Sequence, residues 1–171
     1  MTNLFDLGDE VGRQNLAQLV EDILLSSHCL LSFGAPLVTV LSRVETNLKL
    51  RIEKVAEIIS ELRDPISCSL EEAVSLSRRT VEGEVRSPAK ETEVTLLCLR
   101  LVVSALQDPA ITGLDPTLLS LMEEFVTLSV QSEAPEVRRE AVTALACCCL
   151  RSLPAARQHM LLFLQVGCLG L

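Results

Sequence analysis

Apolar residues recur along most of the chain at the three- and four-residue spacing that places them on one face of an α-helix. Residues 11–25 show this spacing clearly, with Leu16 and Ile23 in the stripe and Asp9 as the expected N-cap. The segments with this spacing are residues 11–25, 36–45, 48–62, 93–106, 116–131, 135–150 and 155–166. Together with a short helix expected near residue 70, they predict seven or eight helices joined by short turns.

The third of these segments, residues 48–62, illustrates how the apolar face and the C-terminal end of a helix are predicted from the sequence. Ile52 and Ile59 lie on the apolar face of residues 48–62, which leaves Arg51 elsewhere on the helix surface. The pair Asp64-Pro65 ends the helix, because the residue before a proline is pushed out of the α region.

Beyond that proline the helical pattern weakens until about residue 92. Ser69 and Glu72 resemble a capping box, and Gly83 and Ser87-Pro88 are breaks. The predicted divisions are N-terminal helical repeats over residues 1–82, a linker or loop over 83–92, and C-terminal helix pairs with an incomplete last repeat over 93–171.

The composition favours helices packed on helices. Among 171 residues there are four Phe and no Trp or Tyr, whereas sheets usually depend on aromatic side chains. Residues 118–128 are apolar over a wide arc, as expected of a helix sandwiched between neighbours. The predicted fold is therefore all-α, an α-solenoid of HEAT-type antiparallel helix pairs with a repeat of roughly 40 to 47 residues.

One local pattern is typical of the second helix of a HEAT repeat. Val137, Arg138, Ala141 and Leu145 stand at the spacing Val-Arg-x-x-Ala-x-x-x-Leu. The small alanine is expected to let two helices approach, while the arginine reaches acceptors at the preceding turn. The usual aspartate of that corner is absent, and Glu133 is expected to replace it.

Net charge and cysteine content bear on whether the chain binds nucleic acid and on the compartment in which it is found. Its net charge of −8 argues against direct binding of nucleic acid by this segment, because phosphates need clustered basic residues. The N-terminus has no pattern of a signal peptide, and cysteines such as Cys98 lie inside apolar helical runs. A reducing compartment, cytosol or nucleus, is the expectation.

Residues 23–42 carry no formal charge and are long enough for a membrane span. Six polar side chains and the break at Gly34-Ala35-Pro36 interrupt this stretch. Two buried helix ends that meet at a turn explain it better, because breakers and polar groups are poorly tolerated in a lone span. A small membrane-associated helical protein is kept as an alternative interpretation of the chain, and it rests on this stretch alone.

Four blocks of sequence, in order along the chain, resemble the family of condensin complex subunit 3, also called CAP-G. They include a stretch of small residues with neighbouring cysteines and, after it, an Ala-Arg-x-His-x-x-Leu-x-Leu-Gln pattern. The blocks are residues 19–25, 51–65, 136–150 and 156–165. The family is far longer, so the resemblance implies a fragment or a truncated form, and the linker near residues 82–90 is short for the family.

The resemblance implies a regulatory, non-SMC HEAT-repeat subunit that binds the kleisin subunit and supports mitotic chromosome condensation. Its implied partners are the kleisin and SMC subunits, with chromosomal DNA contacted through the whole complex and no membrane involved. The implied location is the nucleus and the chromosome, with a cytoplasmic pool. The alternative is another HEAT- or armadillo-type adaptor unrelated to chromosomes.

Residues able to carry chemistry have simpler structural explanations. Cys147, Cys148 and Cys149 point about 100° apart on a helix and cannot converge on one zinc ion. His28 and His159 stand outside any recognisable catalytic motif. The carboxylate pairs at residues 71–72 and 123–124 are expected on solvated surfaces. No catalytic, cofactor-binding or metal-binding residue is therefore predicted, and the chain is not expected to be an enzyme.

One regulatory motif stands out in the predicted linker. Ser87-Pro88-Ala89-Lys90 has the Ser-Pro-x-Lys form favoured by cyclin-dependent kinases. An extended serine before a proline fits a kinase cleft, and a phosphate there changes the local charge strongly. Ser87 is therefore the predicted phosphorylation site.

Overall fold

A computed structural model describes residues 9–26, 31–64 and 87–169 of the chain. Those residues form seven helices and no strand. The helices are α1 (Glu10–Leu25), α2 (Gly34–Val44), α3 (Leu48–Arg63), α4 (Pro88–Leu106), α5 (Pro116–Leu121, a π-helical turn Met122–Val126, then Thr127–Ser129), α6 (Pro135–Arg151) and α7 (Leu153–Leu169). The predicted helix pattern is confirmed, with most ends within a few residues of those expected.

The helices stack in two layers. Helices α1, α3 and α5 lie side by side in one layer, and α2, α4 and α6 lie side by side in the other. Each odd-numbered helix of the first six packs against the even-numbered helix that follows it, and α7 packs against α6. A row of helix pairs in which each pair contacts its neighbours is an α-solenoid, so the predicted fold class is confirmed.

Polar caps fix where several helices begin. The Asp9 carboxylate accepts hydrogen bonds from the N–H groups of Val11 and Gly12, both at 3.1 Å, which confirms the predicted N-cap. Asn47 caps α3 in the same way, and Asp115 caps α5. These side chains satisfy N–H groups that have no partner inside the helix.

The start of α4 corrects the predicted linker over residues 83–92. Helix α4 begins at Pro88, so residues 88–92 are its first turns rather than a loop. Proline is compatible with this position because the first N–H of a helix has no acceptor within the helix, so its absence breaks no helical hydrogen bond. Residues 65–86, which include the predicted capping box, lie outside the described residues, and the division of the chain into two helical segments stays a prediction.

Helix α4 lies at the centre of the core. It packs against α2, α3 and α6, and buries Leu99 and Val102 almost completely. The approach of α2 is close, because a Cβ atom added to Gly34 would lie 3.0 Å from the Leu97 Cδ1 atom. A small residue at the first position of α2 therefore lets the two helices of this layer meet.

Of the uncharged stretch over residues 23–42, residues 23–25 end α1 and residues 34–42 belong to α2, while residues 27–30 lie outside the described residues. Among the helices of the described ranges, none is long and apolar enough to cross a membrane.

The HEAT pattern of α6 has the predicted geometry. Val137, Ala141 and Leu145 are buried between neighbouring helices. The Arg138 Nη1 atom donates to the backbone carbonyls of Ser132 at 2.9 Å and of residue 133 at 2.8 Å. Glu133, the residue expected to replace the usual aspartate of this corner, therefore contributes its main-chain oxygen to this contact.

Replacing Ala141 with leucine should destabilise the fold by about 1–3 kcal/mol, because added methylenes overpack a site that is completely buried. The measurement is the free energy of unfolding from urea denaturation followed by circular dichroism. Ala89→Leu, at an exposed position of α4, is the control and should change stability by less than about 0.5 kcal/mol. Equal effects of the two substitutions would contradict the close packing of α6.

Candidate protein-binding cleft

A cleft of about 570 Å³ opens where α2 and α3 meet the corner between α4 and α5. We call it the corner cleft. Its lining combines apolar side chains with hydroxyl and amide groups. The lining residues are Ala35, Val38, Thr39, Ser42, Thr46, Leu48, Arg51, Ile52, Val55, Ser104, Ala105, Gln107, Asp108, Pro109, Ala110 and Ile111.

Arg51 and Asp108 form an ion pair in the wall of this cleft. The Arg51 Nη2 atom donates to the Asp108 Oδ2 atom at 2.6 Å, and the two side chains are only 10% and 18% exposed. The Arg51 Nη1 atom also donates to the carbonyls of Ser42 and Glu45, both at 3.0 Å. Asp108 accepts a further bond from the Ala110 N–H at 2.8 Å. Each charge is thus neutralised and hydrogen-bonded, the condition that lets ions be buried.

The surface position predicted for Arg51 is wrong, since the residue is buried. The sequence did contain a sign of its role. Arg51 is the fourth residue of α3, as Arg138 is the fourth residue of α6, and both guanidinium groups fold back onto the carbonyls of the preceding corner. An arginine one turn into a helix that follows a short corner is the shared feature.

A second arginine holds the same corner from the other side. The Arg151 Nη1 atom donates to the Ile111 carbonyl at 2.6 Å, and its Nη2 atom donates to the Leu106 carbonyl at 2.8 Å. Leu106 is the last residue of α4, where carbonyl groups lack partners within the helix. The rim of the corner cleft is therefore fixed by two guanidinium groups, one from α3 and one from the end of α6.

The chemistry of the corner cleft suits binding rather than proton transfer. Arg51 and Asp108 are the ionised members of its lining, and each is neutralised by the other. The remaining walls offer apolar surface beside the hydroxyl groups of residues such as Thr39 and Thr46. A few convergent polar groups on an apolar wall are typical of sites that hold a ligand or the side chains of a partner.

The three consecutive cysteines of α6 differ in burial. Cys148 is buried, and Cys147 and Cys149 are partly buried. Burial raises the pKa of all three thiols above the usual value, and that of Cys148 to about 12. Thiols held in the protonated form are poor nucleophiles and poor metal ligands. Among the described residues, no cluster of three or more His, Cys, Asp or Glu side chains is placed to hold a metal ion.

The other candidate side chains do not meet at the corner cleft. Glu123 and Glu124 are exposed on the π-helical turn of α5. His159 is buried on α7, and its Nε2 atom has no hydrogen-bond partner. His28 and the carboxylates at 71–72 lie outside the described residues.

Ser87 occupies the N-cap of α4. Its backbone is extended, with φ −61° and ψ 145°, and its Oγ atom accepts a hydrogen bond from the Lys90 N–H at 3.4 Å. The side chain is exposed to solvent. The serine of the Ser-Pro-x-Lys motif is thus accessible and stands at the N-terminus of a helix of 19 residues.

Comparison with known proteins points to one family. The family model described as "Nuclear condensing complex subunits, C-term domain" matches residues 97–170, from the middle of α4 to the end of α7. Condensin complex subunit 3 of Xenopus laevis is 26% identical over 94% of this chain, and that of Homo sapiens is 32% identical over 63%. The chain is similar to condensin complex subunit 3 over most of its length. The resemblance predicted from the four sequence blocks is confirmed.

The relatives are much longer than this chain. The chain spans 21% of the length of the frog protein and 11% of the length of the human protein. The match to the frog protein takes in both helical layers, because it covers nearly the whole chain.

The pair Arg51–Asp108 should be strongly coupled in a double-mutant cycle. Arg51→Met leaves a carboxylate that is only 18% exposed without its partner and should cost about 3 kcal/mol or more of unfolding free energy. With Asp108→Asn as the second substitution, the coupling free energy should be about 1–3 kcal/mol. The measurement is chemical denaturation of the four proteins of the cycle.

The matched control for this cycle is the pair Lys49–Glu53, which lies on the surface of the same helix. Its atoms are 3.7 Å apart, and its side chains are 80% and 46% exposed. Lys49→Met and Glu53→Gln should show a coupling below about 0.5 kcal/mol. Coupling of the same size in both pairs would mean that burial in the cleft wall adds nothing to the ion pair.

Proposed function

We propose that this chain is a HEAT-repeat scaffold of the condensin complex that binds the kleisin subunit and supports mitotic chromosome condensation. The observation that carries the proposal is the relationship to condensin complex subunit 3 over most of the chain, joined to a fold of stacked helix pairs. Stacked helix pairs present extended surfaces to other proteins. The proposal gives the chain a regulatory role and no catalytic step.

The corner cleft is the proposed contact for a segment of the kleisin. Its apolar walls and hydroxyl groups suit the side chains of a docked segment, and two arginines hold its rim in place before a partner arrives. A preformed site costs less free energy on binding than one that must be ordered.

The charge of the chain supports an indirect relation to DNA. With a net charge of −8, this segment repels the phosphate backbone, so the proposal places DNA contact elsewhere in the complex. The further proposed partners are the SMC subunits, and no membrane is involved. The proposed location is the nucleus and the chromosome, with a cytoplasmic pool.

Purified chain mixed with the human or frog kleisin subunit should form a stable complex, measured by size-exclusion chromatography and by calorimetric titration. Thr39→Arg places a long charged side chain in the corner cleft and should weaken that complex by at least about tenfold.

Thr143→Arg on α6 is the control. Both threonines are exposed, and each hydroxyl donates to the carbonyl four residues earlier in its own helix, at 3.0 Å. Folded chain that shows no binding to the kleisin would refute the proposal, and equal losses in the two variants would refute the corner cleft as the contact. Tight binding of some other partner without condensin subunits would favour an unrelated adaptor.

We also propose that Ser87 is phosphorylated by a proline-directed kinase of the cyclin-dependent class. The exposed, extended serine before Pro88 and the basic Lys90 support this proposal. A phosphate at the N-cap of α4 places negative charge at the positive end of the helix dipole, which stabilises a helix by about 0.3–1 kcal/mol.

Treatment of the chain with a cyclin-dependent kinase should add one phosphate at Ser87, detected by mass spectrometry, and should raise Tm by about 1–4 °C. Pro88→Ala keeps the serine but removes the proline, and should abolish the modification. An unmodified Ser87, or a Tm that falls on phosphorylation, would contradict the proposal.

A further inference from the structure

The corner cleft lies between elements that already pack on one another. Helices α2 and α3 form one side of it, and the end of α4 with the corner after it forms the other. Helices α1 and α7 contribute nothing to its lining. The chemistry of this lining therefore belongs to the middle of the described stack, and it limits what can bind there.

Three branched apolar side chains form the floor of the cleft. Val38 comes from α2, Ile52 from α3 and Ile111 from the corner after α4. Each lines the cleft although it is at most 6% exposed. A polar group placed against this floor would lose its hydration without gaining a hydrogen bond there, which costs free energy. The floor therefore favours an apolar side chain.

A charged side chain of either sign finds no free counter-charge in the cleft. Of the lining residues, Arg51 and Asp108 alone are ionised, and they neutralise each other across 2.6 Å. A carboxylate or an ammonium group that entered would leave water without meeting an unpaired opposite charge. The side chain that reaches the floor should therefore be uncharged.

Polar side chains on the rim are available to an occupant. Within the described ranges, the side chains of Thr46, Ser104 and Gln107 line the cleft and make no hydrogen bond. The hydroxyl groups of Thr39 and Ser42 donate to carbonyls of their own helix, at 3.0 and 2.8 Å, which leaves their lone pairs free to accept. The rim thus offers uncharged donors and acceptors together.

An extended peptide segment matches these groups better than a helix does. In an α-helix the main-chain N–H and C=O groups bond one another, so a docked helix would leave the rim groups unmatched. An extended segment carries an N–H and a C=O group at each residue that both need partners. The side-chain amide of Gln107 has donors and an acceptor, so it can pair with both kinds of main-chain group.

We propose that the corner cleft holds an extended peptide segment, with one uncharged apolar side chain on the floor and the main chain bonded to Gln107. Gln107 is then the residue that selects an extended main chain, and the neutralised pair Arg51–Asp108 rejects charge of either sign. This inference rests on the corner cleft as the contact of the proposed function, and it adds the chemistry of the segment that binds there.

Selection of random short peptides displayed on phage, with the purified full chain as the target, tests the proposal. Thr39→Arg, which blocks the cleft, identifies the peptides that depend on it. Those peptides should share an uncharged apolar residue, and its replacement by either Glu or Lys should weaken binding at least about tenfold. Failure to select any cleft-dependent peptide, or selection of a shared charged residue, would overturn the proposal.

N-methylation of a selected peptide, one residue at a time, tests the contact with the main chain. Loss of the N–H group that pairs with Gln107 should weaken binding at least about tenfold. Gln107→Met keeps the length of the side chain but removes its donors and acceptor. It should weaken the unmodified peptide by a similar factor and should change the binding of that methylated peptide little.

Gln131→Met is the matched control, because Gln131 is exposed and lies outside the lining of the cleft. It should bind the selected peptide as the unmodified chain does, and thermal unfolding followed by circular dichroism shows that each variant is folded. Equal affinity of Gln107→Met and Gln131→Met would overturn the proposal. A peptide that gains helical circular dichroism on binding would overturn it as well.

This inference and the proposed function fail separately, because the peptides of the library are random. A chain that selects cleft-dependent apolar peptides and does not bind the kleisin would refute the proposed function and support the chemistry of the cleft. A chain that binds the kleisin and selects no such peptide would overturn the inference alone.

Discussion

The stack depends on guanidinium groups that satisfy the main-chain carbonyls at its corners. Arg51 binds the carbonyls at the end of α2, Arg138 binds those of the corner before α6, and Arg151 binds those at the end of α4 and in the corner after it. The last carbonyls of a helix have no partner within it and carry the negative end of the dipole. A positive, planar group with several donors meets both needs at once. Corners that would otherwise require water are thereby closed by side chains of neighbouring helices.

The packing of the helices depends on small and branched apolar residues as well as on these arginines. Gly34 and Ala141 allow helices to approach closely, and Leu97 and Leu145 fill the space between them. Phe125 is a buried aromatic residue of the core, and the Arg63 guanidinium lies over its ring, 4.5 Å from the centre. Close approach of backbones leaves little volume for large rings. The low number of aromatic residues is compatible with helices that approach as closely as α2 and α4 do at Gly34.

The helices were predictable because their information is local. The spacing of apolar residues, Asp9 before α1 and the Val-Arg-x-x-Ala-x-x-x-Leu pattern of α6 each lie within a few residues of what they determine. The corner cleft was not predictable, since it depends on Arg51 meeting Asp108, 57 residues further along the chain. The spacing of apolar residues shows on which side of its helix Arg51 lies, but it does not reveal an ion-pair partner that is distant in the sequence. The start of α4 at Pro88 was missed for a related reason: a proline ends one helix or opens the next, and the sequence pattern alone does not choose.

Two kinds of surface follow from this architecture, and they differ in rigidity. In the corner cleft, Arg51 and Arg151 connect α2, α3, α4 and α6 with the corner after α4, so the charged groups of its wall are already hydrogen-bonded. At the ends of the stack, α1 and α7 have neighbours on one side and apolar stripes on the other. Among the described residues, each helix pair packs mainly on the pairs next to it, so a displacement at one surface reaches a distant one through the pairs between them. Helix α4 is the link in that path, since it packs on α2 and α3, which line the cleft, and on α6, which supports α7.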